Sequence, residues 1–126
     1  NFAWIHAFPY SPRPGTAAKD MKPQVPERIK DERVKVLTSY AVKGKIDFIK
    51  NSIGKVFNAI VENSRSVRLG LTASNVFHAV TDNYIHVEFT SSEFIPQGTV
   101  VKLRVTSVLE ENIRSGKEIE AAAVLV

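Results

Sequence analysis

The chain has 126 residues, 44% hydrophobic and 24% charged, with a formal net charge of +4 and no cysteine. That composition describes one globular domain with an appendage, and it excludes a disulfide framework, a thiol nucleophile, a cysteine-ligated zinc site and an iron–sulfur cluster held by this chain. No apolar run approaches the roughly 20 residues of a membrane span and no secretory leader pattern opens the chain, so a cytoplasmic location is expected.

Residues 2–8, FAWIHAF, form a short aromatic-rich run that ends at a proline, the pattern of a strand buried on at least one face. Nothing nearby in the sequence pairs with it. An Asn start followed directly by apolar residues is the expected look of a piece of a longer chain, with this strand orphaned from its sheet. From Phe8 to Ala18 three prolines and a glycine then interrupt any helix or interior strand.

After a polar connector, Pro26 sits at a helix's first position, with Glu27, Asp31 and Glu32 in the opening turns. Ile29, Val36, Tyr40 and, less cleanly, Leu37 and Ala41 recur at helical spacing among lysines and arginines, predicting one long amphipathic helix of about 20 to 25 residues with that stripe as its packed face. Gly44 is expected to weaken this helix or end it early, because glycine costs about 1 kcal/mol relative to alanine.

From Gly54 onward the period falls to two. Strands are predicted over residues 56–61, over residues 67–71, over Asn75 to Val80, over Tyr84 to Phe89, around Val101, Leu103 and Val105, and from Ile119 to Val126. Asp82-Asn83 and Ser115-Gly116 are turn signals between them. The expected fold class is α+β: an N-terminal orphan strand and loop, one long amphipathic helix, then a small antiparallel five- to six-stranded OB-like barrel. The expected divisions are 1–22, 23–53 and 54–126.

Charge is uneven along the chain. Residues 1–50 carry ten Lys/Arg against five Asp/Glu, and residues 51–126 carry seven against eight. The basic half is suited to a polyanionic partner. His6, His78 and His86 share no metal-binding spacing, and no phosphate-binding glycine loop or nucleophile set is present.

The run Trp4–Ala18, WIHAFPYSPRPGTAA, resembles the last barrel strand and following loop of the radical S-adenosylmethionine methylthiotransferases that modify tRNA. Its Phe-Pro-Tyr-Ser, then Arg, then Gly-Thr form is most similar to the threonylcarbamoyladenosine branch. A long basic helix follows in that family, and then a small OB-like barrel called the TRAM domain, which residues 54–126 resemble through Thr81, Asn83-Tyr84 and Val87. The resemblance implies the C-terminal part of an enzyme that adds a methylthio group to the modified adenosine next to the anticodon. The parent would use S-adenosylmethionine and two cysteine-ligated iron–sulfur clusters. With no cysteine, this piece would be non-catalytic by itself, and its implied partners are a tRNA anticodon stem-loop and its own missing catalytic domains.

Lys102 and Arg104, two apart, project from one strand face, and Arg68 projects from the solvent side of another; on an RNA-binding barrel they contact phosphates. An ordinary solvated face gives the same pattern. Tyr84 and His86 are expected on one strand face, where they stack on unpaired bases, with the alternative that Tyr84 caps the core. Asn83 serves as a base reader or as a turn former. On the helix, Arg28, Lys30, Arg33, Lys35, Lys43 and Lys45 form a basic strip or a solvated surface. Tyr10, Ser11 and Arg13 are expected in a substrate-side loop at the carboxyl end of a barrel strand, as the resemblance implies. A structural or interaction barrel that contacts no RNA is the rival reading.

Overall fold

A computed structural model describes residues 2–69 and 72–126, the side chains of residues 66–73 excepted. The chain divides into two compact units, Asn1–Lys45 and Ile46–Val126.

The first unit contains α1 (Ala17–Asp20) and most of α2 (Glu27–Lys50). Residues 2–8 form no strand, contrary to the sequence pattern, because a strand requires a ladder partner and none is described beside it. They lie instead along α2. Lys45 Nζ stands 5.7 Å from the centroid of the Trp4 ring. A Cβ on Gly44 would collide with the Phe2 carbonyl oxygen, so this glycine is where the helix lets another backbone approach closely. Gly44 does not end the helix, which runs on to Lys50. The helical cost of glycine is offset by the burial of Ile46 and Ile49 just beyond it, each worth about 1.5–3 kcal/mol.

The expected packed stripe is otherwise displaced. Val36, Leu37 and Tyr40 are exposed, and the sealed apolar residues of α2, Ile46 and Ile49, lie near its C-terminal end. The basic strip is broken as well. Lys30 is buried, its ammonium donating to the Tyr10 carbonyl at 2.9 Å and to the Glu27 carboxylate, and Arg28 pairs with Glu32 at 2.7 Å.

The second unit is a closed five-stranded barrel in the order β1-β2-β3-β5-β4, built from β1 (Val56–Leu69), β2 (Thr72–Thr81), β3 (His86–Ser91), β4 (Val100–Val108) and β5 (Ala121–Leu125). One strand covers what the sequence divided into two. β1 pairs with β4 through Val56–Ile60 and with β2 from Ala59 onward, and an irregularity between Val61 and Asn63 marks where it bends. Gly70 and Leu71, expected at the end of a second strand, lie outside the described residues.

The barrel is not wholly antiparallel. β3 and β5 run parallel, joined through Val87↔Ala121 and Glu88↔Ala122. A short helix the sequence did not signal, α3 (Glu110–Arg114), lies between β4 and β5 and buries Ile113.

Alternation accounts for the core. Ala59 and Val61, Phe77 and Ala79, Val87 and Phe89, and Leu103 and Val105 point inward from successive strands and are buried. Phe77 and Phe89 are register partners, and their rings stack with centroids 5.2 Å apart. No described helix is long and apolar enough to cross a membrane.

Candidate nucleic-acid interface

The outward residues of β4 and its neighbours form cross-strand rows. Arg104 lies between Val56 on β1 and Val124 on β5, while Lys102 is opposite Asn58. Val100 is opposite Ile60, and both are more than half exposed. Lys102 and Arg104 thus stand together on the outside, beside Leu103 and Val105 facing in. Three other cations of the second unit are matched: Lys50 and Arg114 reach Glu110 at 2.6 and 3.2 Å, and Arg65 approaches Glu88 at 3.7 Å. Lys102 and Arg104 have no carboxylate within ion-pair distance among the described residues.

The turn between β2 and β3 is set against this face. Asp82 N donates to the Asn58 carbonyl at 2.8 Å, and Asn58 Nδ2 donates to Asp82 Oδ2 at 3.3 Å, so the turn is tied to the residue opposite Lys102. Thr81 organises the turn from inside. Its buried hydroxyl accepts from Ile85 N at 2.8 Å and donates to Asn83 Oδ1 at 2.6 Å, while Thr81 N donates to the Ile85 carbonyl at 3.0 Å. The Asn83 side-chain oxygen is thereby engaged in the turn, and Val87 is buried in the core.

Tyr84 differs from the expectation in a useful way. It precedes β3, with φ at 63°, in the left-handed region that a bulky residue enters only at a cost of order 1–3 kcal/mol. The alternation that would align it with His86 is therefore interrupted. The residue is 73% exposed, which removes the core-capping alternative. The local constraints of Thr81 and Asn83 hold a strained backbone that delivers an aromatic ring to solvent.

His86, the first residue of β3, sits apart from the two β4 cations. Its Nδ1 lies 3.8 Å from Glu62 Oε2 and 3.9 Å from Glu118 Oε1. Arg68 belongs to β1, but its side chain lies outside the described residues. In the first unit, Ser11 and Arg13 are exposed, and the Arg13 carbonyl accepts from Thr16 Oγ1 at 2.8 Å. Tyr10, whose carbonyl Lys30 holds, helps line a hollow of about 400 Å³ with Phe8, Met21, Val25, Val34 and Leu37.

No family model matches the chain. Among curated proteins, the threonylcarbamoyladenosine tRNA methylthiotransferase of Aquifex aeolicus is 35% identical over 86 residues, covering 68% of this chain and 18% of that protein. The Thermotoga maritima protein of the same description is 32% identical over 114 residues, 90% of this chain and 24% of its own length. The chain is a relative of the tRNA methylthiotransferases. A second branch matches too: the tRNA-2-methylthio-N(6)-dimethylallyladenosine synthase of Anaplasma phagocytophilum is 37% identical over 67 residues, 53% of this chain and 15% of that protein. The chain thus spans about a fifth of the length of the methylthiotransferases it matches.

Proposed function

We propose that this chain is the tRNA-contacting C-terminal region of a methylthiotransferase that modifies the adenosine beside the anticodon. Residues 1–22 would close the catalytic barrel of the parent, residues 23–53 would link, and residues 54–126 would form a TRAM-like domain that holds the anticodon stem-loop. The observation that carries this reading is the outward pair Lys102 and Arg104, without carboxylate partners among the described residues, beside the turn that exposes Tyr84, in a relative of tRNA-modifying enzymes.

The division of labour follows from the chemistry of each group. Lys102 and Arg104 neutralise phosphates, and the Tyr84 ring stacks on an unpaired base. Asn83 holds the turn rather than reading a base. His86, flanked by two carboxylates, contributes less than the others, since its surroundings repel phosphate. Arg68, in the part of β1 paired with β2, adds a third cation. Tyr10, Ser11 and Arg13 act in the parent on the substrate side of the catalytic barrel.

Methylthio transfer in the parent draws on S-adenosylmethionine and iron–sulfur clusters. This chain has no cysteine to ligate a cluster, so its residues do not fit that group and take no step in its chemistry. Its part is binding and orientation.

The test is titration of an anticodon stem-loop against the chain at about 50 and 200 mM salt, with wild type and K102Q/R104Q. Two phosphate contacts account for roughly a tenfold loss of affinity over that range. The double variant should bind more weakly and with a shallower salt dependence. Absence of binding at low salt, or identical behaviour of the variant, overturns the assignment. One observation favours a rival, a barrel that buttresses the catalytic domain without touching RNA: the apolar Ile60 and Val100 are exposed on the same face. Absence of stem-loop binding by the wild-type chain supports that rival.

A further inference from the structure

Away from Lys102 and Arg104, three side chains that are distant in sequence converge at the seam of the barrel. Glu62 comes from β1, His86 from the start of β3, and Glu118 from the segment that leads into β5. One ligand atom from each lies within 4.8 Å of the others. His86 Nδ1 is buried and has no hydrogen-bond partner, even though a carboxylate oxygen stands on each side at 3.8 and 3.9 Å. Those separations exceed hydrogen-bonding reach. A buried ring nitrogen left without a partner carries a desolvation cost, and the two carboxylates add mutual repulsion.

We propose that Glu62, His86 and Glu118 bind a divalent cation of the zinc type, through His86 Nδ1 and one oxygen from each glutamate. The mixed nitrogen and oxygen set suits zinc better than magnesium or calcium, which prefer oxygen alone. Ligands at about 2.0–2.2 Å from a shared cation stand about 3.0–3.5 Å apart in tetrahedral or octahedral arrangements. Closing the present gaps to that spacing requires small rotations of two glutamates whose side chains are 42% and 67% exposed, while the His86 ring is two-thirds buried and stays in place. The backbone supports the ring's position: Glu120 N donates to the His86 carbonyl at 2.9 Å, and the Glu120 carboxylate accepts from His86 N at 3.4 Å. The remaining coordination positions open to water.

The location gives the cation a purpose. β3 and β5 meet through only two register pairs, the parallel contact that completes the barrel. A cation held by β1, β3 and the lead-in to β5 clips that short seam. Neither the spacing of the histidines nor any local motif marks this site, because its three ligands come from three separate elements.

The experiment is calorimetric titration of the untagged chain with zinc chloride, together with thermal unfolding and long-range proton–nitrogen spectra of the histidine rings. One zinc per chain is expected, with the melting temperature rising by at least about 3 °C at saturation and the perturbation falling on His86 Nδ1. H86Q and, independently, the surface double variant E62Q/E118Q should each weaken binding at least about tenfold, while H78Q should bind as wild type does. Lack of saturable one-to-one binding overturns the site. So does binding that survives both H86Q and E62Q/E118Q, an adventitious ion, or a spectral change confined to His6 or His78.

Discussion

In residues 46–126 the large apolar side chains Phe77, Ile85, Phe89 and Leu103 are sealed from solvent, whereas in residues 1–45 Phe2, Phe8, Val36, Leu37 and Tyr40 stay exposed. The barrel satisfies its backbone through five strands that close on each other, and its alternating pattern sends one face of every strand to a shared interior. The first unit has one long helix whose hydrogen bonds are internal, and a helix can form without a core on each side. Two segments of similar apolar content therefore draw their order from different sources: long-range burial in one and local bonding in the other.

The sharpest test of this contrast compares two truncations. Phe77→Ala removes one ring of the stacked pair and should cost about 3–5 kcal/mol, read as a fall in the urea midpoint followed by circular dichroism. Leu37→Ala, on the exposed stripe of α2, should change stability by no more than about 0.5 kcal/mol. Comparable losses from the two would break the comparison.

A smaller effect is expected at the β2–β3 turn. Thr81→Val leaves Ile85 N and Asn83 Oδ1 without their buried partner, at a cost of about 1–3 kcal/mol. Thr81→Ser should recover most of it. Loss of stem-loop affinity in Thr81→Val with the fold retained, measured at a temperature where the chain is still folded, would tie the turn to the presentation of Tyr84.

The smallest effect is electrostatic. Lys50 at the end of α2, chiefly, and then Arg114 hold the Glu110 carboxyl below its usual pKa by hydrogen bonding and charge. A carboxylate depressed in the folded state stabilises above its unfolded pKa, about 4.3 for glutamate. That contribution is lost as pH falls through the lower folded value. Glu110→Gln should therefore narrow the difference in melting temperature between pH 7 and pH 3, by a modest amount because the pair is partly exposed. An unchanged difference would remove the ion pair from the account.

Much of this was legible in the sequence. The change of period at Gly54 marks where helix gives way to strands. The predicted helix, the turns at Asp82-Asn83 and Ser115-Gly116, and the inward positions Leu103 and Val105 all follow from local sterics and alternation, which act over a few residues. The absence of cysteine rules out a thiolate-ligated cluster whatever the fold. The Phe-Pro-Tyr-Ser run and the Thr81 to Tyr84 motif point to the tRNA methylthiotransferases, and the relatives bear that out.

Only the tertiary structure decided the rest, because it depends on groups far apart along the chain. The continuity of β1 past residue 61 comes from its passing from one partner strand, β4, to another, β2. The parallel β3–β5 seam and the unsignalled α3 are products of barrel closure. Gly44 gains its role from the Phe2 backbone, forty-two positions away, and not from helix propensity. Tyr84 reads as a strand residue until the Thr81 hydroxyl turns the backbone into the left-handed region. Nothing near His86 in the chain announces that two carboxylates, from β1 and from the lead-in to β5, will flank it. Periodicity reports which face of an element is apolar; which groups share the other face is determined by pairing and register, and those are set by the fold as a whole.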